Sequence, residues 1–313
     1  MEPVTLALPL RLPAGPPAPL PPRAPLDMPE QSLSHYDKAA RYRLRGERGP
    51  RIARAGLLAG ALLLSAFLVH QMWLVLSIGG LTGVEKAMLA LFVINIAWIG
   101  FGAVSPLIGF MLGPERAGPP DIAPAARTAL LMPTYNEDPA RIVGAAVAML
   151  RAIDARGAGA AFDLFILSDT NRPDVWLAEQ AVADLAVGDR LLYRHRARNL
   201  RRKAGNIADW VERWGAAYPF MLVLDADSLM EADTVIELAR RMEADDTLGI
   251  LQTSPNLIGG ETPLARVQQF ASRVYGPVLT RGLRAWFGNA GNYWGHNAII
   301  RTRAFADCGG RAR

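Results

Sequence analysis

Two aspartates one residue apart, Asp225 and Asp227, follow the apolar run Phe220–Leu224. Carboxylates so placed at the end of a buried strand can share one divalent cation, and hard oxygen ligands suit Mg2+ or Mn2+. Three more polar sets follow apolar runs in the same way. Thr128–Met132 leads into Pro133-Thr134-Tyr135-Asn136-Glu137, and Phe162–Leu167 into Ser168-Asp169-Thr170. Leu191–Tyr193 leads into a basic stretch that reaches Lys203-Ala204-Gly205-Asn206. Taken singly each is ordinary, because a strand-end aspartate is more often a cap or turn residue than a ligand. Four such sets on one sheet edge point to chemistry.

The chemistry they suit is binding of a nucleotide diphosphate sugar. Such a donor offers a flat base, a ribose and a pyrophosphate, and transfer from its anomeric carbon needs the pyrophosphate stabilised as a leaving group. Asp225 and Asp227 can share the cation and the ribose hydroxyls. Lys203, beside Gly205 at the start of a helix, can add charge and backbone N–H donors to the pyrophosphate. Asp169 is placed to accept hydrogen bonds from a base edge. No Ser/His/Asp nucleophile set and no Cys/His metal cluster competes with this reading.

The elements that must carry these groups alternate. Apolar runs at 128–132, 162–167, 191–193, 220–224 and 248–251 read as buried strands. Helical periodicity fills most gaps, at 139–156, 175–185, 204–214 and 233–244. Strands alternating with helices predict a mostly parallel α/β sheet covered on both faces. In such sheets ligands bind beyond the carboxyl ends of the strands, where the four polar sets lie.

The set Pro133-Thr134-Tyr135-Asn136-Glu137, Asp169, Lys203-Ala204-Gly205-Asn206 and Asp225-Ala226-Asp227 resembles processive family 2 glycosyltransferases, the cellulose-synthase relatives of Rossmann-like GT-A fold. Three stretches resemble more closely the inner-membrane branch that builds osmoregulated periplasmic glucans. They are Leu131–Glu137, Leu167–Thr170 and Tyr193-Arg194-His195-Arg196 through Asn206. The resemblance implies UDP-glucose as donor, a glucan as acceptor, Mg2+ or Mn2+ as cofactor and a pathway partner in the periplasm. It implies that Thr134, Tyr135, Glu137 and Asp169 hold the uridine and Lys203 the diphosphate. Asp225 is then a donor-binding residue that shares the metal with Asp227. Gly291–Ala298 resembles the acceptor-proximal segment, with Tyr293, Trp294 and His296 facing the glucan; a turn with packed aromatics is the competing reading. Gln252–Asn256 resembles a second segment near the site. For His195 and its flanking arginines a solvated basic turn stays open beside a functional role.

Two apolar runs, about 55–78 and 87–112, precede the sheet. Each is long enough at 1.5 Å per residue to cross a hydrocarbon core of about 30 Å. Arg41, Arg43, Arg45, Arg48, Arg51 and Arg54 flank the first, opposed only by Glu47, while the connector 79–86 is almost uncharged. The positive-inside rule puts the N-terminus and the sheet domain in the cytoplasm. Residues 1 to about 30 carry seven prolines between Pro13 and Pro25 and read as a disordered tail. A Pro/Gly-rich linker, about 113–127, separates the spans from a glycosyltransferase domain over 128–313. A formal charge of +5 without a broad basic stripe argues against nucleic acid. The single cysteine, Cys308, rules out an internal disulfide.

The family resemblance also says what to expect beyond Arg313. Relatives continue to a second acidic motif, whose aspartate deprotonates the acceptor hydroxyl, then to an aromatic/arginine motif and further spans. No catalytic base is assigned within the chain. The expectation is an N-terminal portion that binds donor and transfers weakly or not at all. Another family 2 synthase of the cellulose or hyaluronan kind remains an alternative. So does a nucleotide-sugar-binding membrane protein without turnover.

Overall fold

The computed structural model describes residues 20–29, 48–113, 122–185, 190–288 and 291–308. The chain divides into two units. One comprises Met1–Tyr36, Ala117–Thr253 and Tyr293–Arg313, and the other Asp37–Arg116 and Ser254–Asn292.

The first unit is the sheet domain. Its strands are β1 (Thr128–Thr134), β2 (Phe162–Ser168), β3 (Leu191–His195), β4 (Phe220–Val223), β5 (Ile250–Gln252) and β6 (Ala298–Arg301). They lie in the order β3-β2-β1-β4-β6-β5. The first four are mutually parallel, and β6 runs antiparallel between β4 and β5. The α/β class and the five strands expected from the sequence are present; β6 is additional.

Alternation along each strand feeds two cores. Leu130, Met132, Leu164, Ile166, Leu222 and Ile299 face one layer, packed by α3 (Pro139–Asp154) and α6 (Ala232–Ala244). Ala129, Leu131, Phe165, Leu167, Met221 and Ile300 face the other, packed by Trp210, Val211 and Trp214 of α5 (Arg202–Trp214). Strands buried on both faces read as continuous apolar runs, which is why they were visible in the sequence. In the connections between strands lie α4 (Pro173–Leu185) and, after β6, α8 (Thr302–Cys308).

Residues 20–29 correct the disordered-tail expectation. The backbone N–H groups of Ala24 and Leu26 donate to the carbonyls of Arg213 (2.8 Å) and Val211 (3.3 Å), and Ala216 N–H donates to Ala24 O. The indole of Trp214 donates to Pro21 O at 3.1 Å. Leu26 and Met28 pack against the α5-side core. The composition argument fails here because it weighs only what the segment can bury by itself. The last carbonyls of a helix have no intrahelical donors; the strap supplies one to Arg213 O and adds a second to Val211 O, which Gly215 N–H also reaches. Residues 1–19 and 30–47, including Arg41, Arg43 and Arg45, and linker residues 114–121 lie outside the described residues.

The second unit holds two helices, α1 (Arg48–Leu76) and α2 (Gly83–Met111), each long and apolar enough to cross a membrane. Thr82 and Glu85 form a reciprocal capping box at the start of α2. Small residues let the two helices approach. A Cβ on Gly100 would fall 2.7 Å from Ser65 Oγ, and one on Gly60 would fall 2.9 Å from a methyl of Val104. The same unit contains α7 (Pro263–Phe287), which the sequence reading did not separate from the sheet domain. Placing 128–313 in one domain is therefore revised: the segment Ser254–Asn292 groups with the apolar hairpin. Its apolar residues recur at helical spacing, but nothing local distinguishes a helix that covers a sheet from one that packs on other helices.

Candidate donor site at the carboxyl ends of the parallel strands

The register sets the site. Thr134, Ser168 and His195 are direct partners across β1, β2 and β3, so three strand ends stop at one level. Thr134 is buried there, with Tyr135 and Glu137 exposed beyond it. Between them Asn136 takes a left-handed conformation, φ 56°, which asparagine tolerates better than most residues. Its backbone N–H donates to Thr170 Oγ1 (3.0 Å) and its amide to Asn171 Oδ1 (2.9 Å), tying the loop after β1 to the loop after β2.

Asp169 is only 4 % exposed. Its N–H donates to Thr134 O at 3.0 Å. Both carboxylate oxygens are held by one guanidinium: Arg196 Nε to Oδ1 and Nη2 to Oδ2, each 2.7 Å. Such a two-point pair fixes the plane of the carboxylate. Around it, Glu179 accepts from Ser168 Oγ (2.6 Å), Thr170 Oγ1 (2.8 Å) and Tyr193 OH (3.0 Å). A buried carboxylate thus organises the residues on either side of Asp169. Burial pushes the Tyr193 phenol well above its usual range, and the adjacent Glu179 adds to the rise.

The basic residues at the end of β3 are not a solvated turn, although Arg198, Arg201 and Arg202 beyond them are exposed. Arg194 is buried and donates to the carbonyl (3.2 Å) and side-chain oxygen (2.7 Å) of Asn206, with Asp209 3.3 Å away. Burial pulls its guanidinium down to about 10, against the opposing pull of Asp209. His195 stacks on Trp176 with ring centroids 4.9 Å apart, and its Nε2 lies 2.9 Å from Thr170 O. Arg194 and Arg196, two residues apart, share a face while His195 takes the other. That spacing of two is the signal in the sequence for a buried face within the charge run.

Gly205 does not offer its N–H to a phosphate. A Cβ there would sit 2.0 Å from Leu200 O, and its N–H already donates to Arg201 O at 3.1 Å. Its place in the motif answers to close packing of the turn, not to a free donor for phosphate. Asn206 is fully buried and donates to Leu167 O at 2.8 Å, stapling α5 to the end of β2.

Lys203 and Asp225 form an ion pair, and the ammonium also donates to Gly295 O at 2.7 Å. Asp225 is held by its neighbour Ser228, whose Oγ accepts from Asp225 N–H at 3.2 Å. Its second oxygen lies 3.9 Å from His296 Nδ1. Asp227 is exposed. Among the described residues no group of three or more metal-ligating side chains is preassembled. The donor set nonetheless fits a hard cation: two carboxylates at a strand end, one already carrying a cationic partner, leave positions for phosphate oxygens and water, as Mg2+ and Mn2+ take.

The segment carrying Tyr293, Trp294 and His296 closes on the same edge. Trp294 N–H donates to Gln252 Oε1 at 2.9 Å, and Thr253 donates to Asn297 O through N and Oγ1, both at 3.0 Å. Gln252 and Thr253 thus stand beside the segment. Tyr293 and Trp294 keep about half of their surface exposed. Burial, and after it the charge of Asp225, push the Tyr293 phenol up to about 12.

The sequence profile described as Glycosyl transferase family 2 matches residues 129–309, a span that contains every site residue above and all of the strands except Thr128. The chain belongs to glycosyl transferase family 2. Over 302 residues it is 46% identical to the glucans biosynthesis glucosyltransferase H of Shewanella oneidensis, covering 94% of this chain and 41% of that protein. Over 313 residues it is 46% identical to the enzyme of the same name from Xanthomonas campestris pv. campestris, covering 96% of this chain and 48% of the relative. The chain therefore spans less than half the length of these curated relatives. Among solved structures it is similar to the Pyrobaculum calidifontis mannosyltransferase PcManGT in complex with GDP-Man and Mn2+. Identity there is 19% with a TM-score of 0.43, over 66% of this chain and 55% of the other, too slight a likeness to transfer any ligand.

Proposed function

We propose that this family 2 chain carries the donor-binding part of an inner-membrane glucosyltransferase that adds glucose from UDP-glucose to the β-glucan of osmoregulated periplasmic glucans. The observation that carries this reading is the convergence of Asp169, Lys203, Asp225 and Asp227 on the one edge where β1, β2, β3 and β4 end. The names borne by relatives 46% identical over nearly the whole chain support glucosyl transfer in the making of a glucan.

Asp169, its plane fixed by Arg196, accepts from the N–H edge of uracil through the lone pairs that the guanidinium leaves open. Tyr135 and Glu137, exposed on the loop after Thr134, meet the base and ribose. Lys203 leaves Asp225 for the diphosphate, exchanging one anionic partner for a more highly charged one. Asp225 and Asp227 hold Mg2+ or Mn2+, which when bound neutralises charge on the diphosphate. Attack by an acceptor hydroxyl on the anomeric carbon forms the new glycosidic bond with inversion. The bond to the diphosphate breaks with its electron pair going to UDP. The acceptor's proton passes to a base that none of the assigned residues provides. Tyr293 and Trp294 offer the exposed aromatic faces on which a glucan stacks. Two helices long and apolar enough to cross a membrane support a seat in the inner membrane, and the arginines before the first span support an N-terminus and sheet domain on the cytoplasmic side.

The test is calorimetric titration of UDP and UDP-glucose into the purified chain with Mg2+ or Mn2+, repeated after chelation and with Asp227→Ala. Metal-dependent binding that Asp227→Ala abolishes supports the donor site. Binding of neither nucleotide by a chain whose circular dichroism shows it folded overturns the reading. UDP release in the presence of glucan then separates a working transferase from a protein that only binds.

A further inference from the structure

The two halves of the donor shelf sit on different elements. Asp169 follows β2, and Lys203 lies in the first turn of α5. A nucleoside diphosphate has to span both, so its hold depends on how firmly α5 is fixed against the strand ends. One side chain does that fixing. Asn206 stands three residues after Lys203, which puts the two on the same side of the helix.

Leu167 and Arg194 are direct partners across β2 and β3, one step inside the level marked by Ser168 and His195. Asn206 grips both strands at that step. Its Nδ2 donates to Leu167 O at 2.8 Å, and its Oδ1 accepts from Arg194 Nη2 at 2.7 Å. The same Nη2 reaches the backbone carbonyl of Asn206 at 3.2 Å, so main chain and side chain are held together. Water is excluded from this grip: Asn206 is 1 % exposed and Arg194 4 %. Asp209, further along α5 and 3.3 Å from Arg194, supplies the countercharge. The strand pair thus presents an acceptor to one end of the amide and a donor to the other, which is the pattern an asparagine satisfies. Two residues beyond Leu167 comes Asp169, and one turn before Asn206 comes Lys203. Buried as it is, Asn206 has no surface with which to touch a donor itself.

We propose that Asn206 is a positioning residue that fixes the span between the base contact at Asp169 and the diphosphate contact at Lys203, and so sets how much more tightly a diphosphate is held than a monophosphate. A ligand that bridges two contacts gains fully from both only when the protein holds them ready at the ligand's own spacing. Loosening the first turn of α5 leaves the contact at Asp169 in place and forfeits the one at Lys203. The proposal rests on the donor reading given above, in which Asp169 meets uracil and Lys203 the diphosphate.

The test is calorimetry of UDP and of UMP against the purified whole chain at fixed Mg2+. Wild type is compared with Asn206→Asp and Lys203→Ala, and urea unfolding of each variant reports on the fold. An aspartate at 206 keeps the size and the Arg194 contact, but it sets a carboxylate oxygen against Leu167 O where an N–H donated before. The expected result is that Asn206→Asp binds UMP nearly as wild type does and loses severalfold of the preference for UDP, as Lys203→Ala does. A folded Asn206→Asp that keeps the wild-type preference overturns the proposal. Equal loss of UMP and UDP also overturns it, because that marks damage to the base contact. If Asn206→Asp does not fold, Asn206→Ala, which removes the grip without adding charge, takes its place under the same criteria. Should neither variant fold, Asn206 serves the fold alone and the proposal fails. Failure of the donor reading looks different: wild type then binds neither nucleotide or shows no preference for UDP, or Lys203→Ala leaves the preference intact, and the proposal falls with it.

Discussion

Arg196 and Asp169 meet as a planar two-point pair, with the guanidinium reaching both carboxylate oxygens at 2.7 Å. The arginine side chain is 12 % exposed and the aspartate 4 %. Removing one partner of such a pair strands the other charge, at a cost of about 3–5 kcal/mol. Arg196→Ala is therefore expected to lower the stability of the sheet domain measurably in urea. Arg196→Lys keeps the charge but loses the fork. Its expected effect is donor binding weakened about tenfold, ~1.4 kcal/mol, with a smaller change in stability. Calorimetry with UDP beside denaturant unfolding checks the separation.

Glu179 draws three hydroxyl groups onto one buried carboxylate. Through Thr170 it also supports the N–H of Asn136, and so the loop that follows β1. Glu179→Gln retains the shape but offers a single acceptor oxygen. The expected loss is on the order of 1–3 kcal/mol of stability, read as a shift of the urea midpoint without a change of slope. Tyr193→Phe removes only one of the three donors and should cost about 1 kcal/mol.

Backbone contact between α2 and α7 leaves no room for a side chain at Gly109 or Gly282. Gly282→Leu is expected to loosen α7 from the hairpin, so that trypsin cuts after Arg273 or Arg281 at least severalfold faster in detergent. Gly276→Ala is the control, because its Cβ would meet nothing nearer than Ser254 Oγ at 4.0 Å. Equal cleavage rates for the two variants would contradict the packing described.

Tyr293 ionises late, near 12, because it is half-enclosed and faces Asp225. A free tyrosine ionises near 10. Between those values the unfolded chain releases this proton while the folded chain keeps it, so stability falls as pH rises from about 10 to 12. Below about 10 the residue contributes no pH dependence. Ultraviolet titration should show one late phenolate that Tyr293→Phe removes and Asp225→Asn moves to lower pH.

The parts of this fold legible in the sequence are those whose pattern is local. Strands β1 to β4 announce themselves as unbroken apolar runs because both faces are buried, and Asp138 and Pro139 mark the start of α3 by a cap and an N-terminal proline. Less legible is whatever depends on a distant partner. The four residues of β6 qualify as a strand only because β4 and β5 flank them. The strap at 20–29 is ordered by carbonyls nearly two hundred residues away. Within the site, Asp169, Lys203, Asp225 and Asp227 stood out by type and position. Arg196, Glu179 and Ser228 did not, since each acts by holding another side chain or backbone group.

The shared level of Thr134, Ser168 and His195 makes the sheet a ruler for the donor shelf. Each strand residue advances about 3.3 Å and turns its side chain to the opposite face. Inserting one residue inside β1 would present the wrong layer to each core, and inserting two would restore the faces but push Thr134 about 6.6 Å out of line. Length variation is therefore confined to the connections between strands, and a deletion scan should find the strand interiors as intolerant as the aspartates they aim.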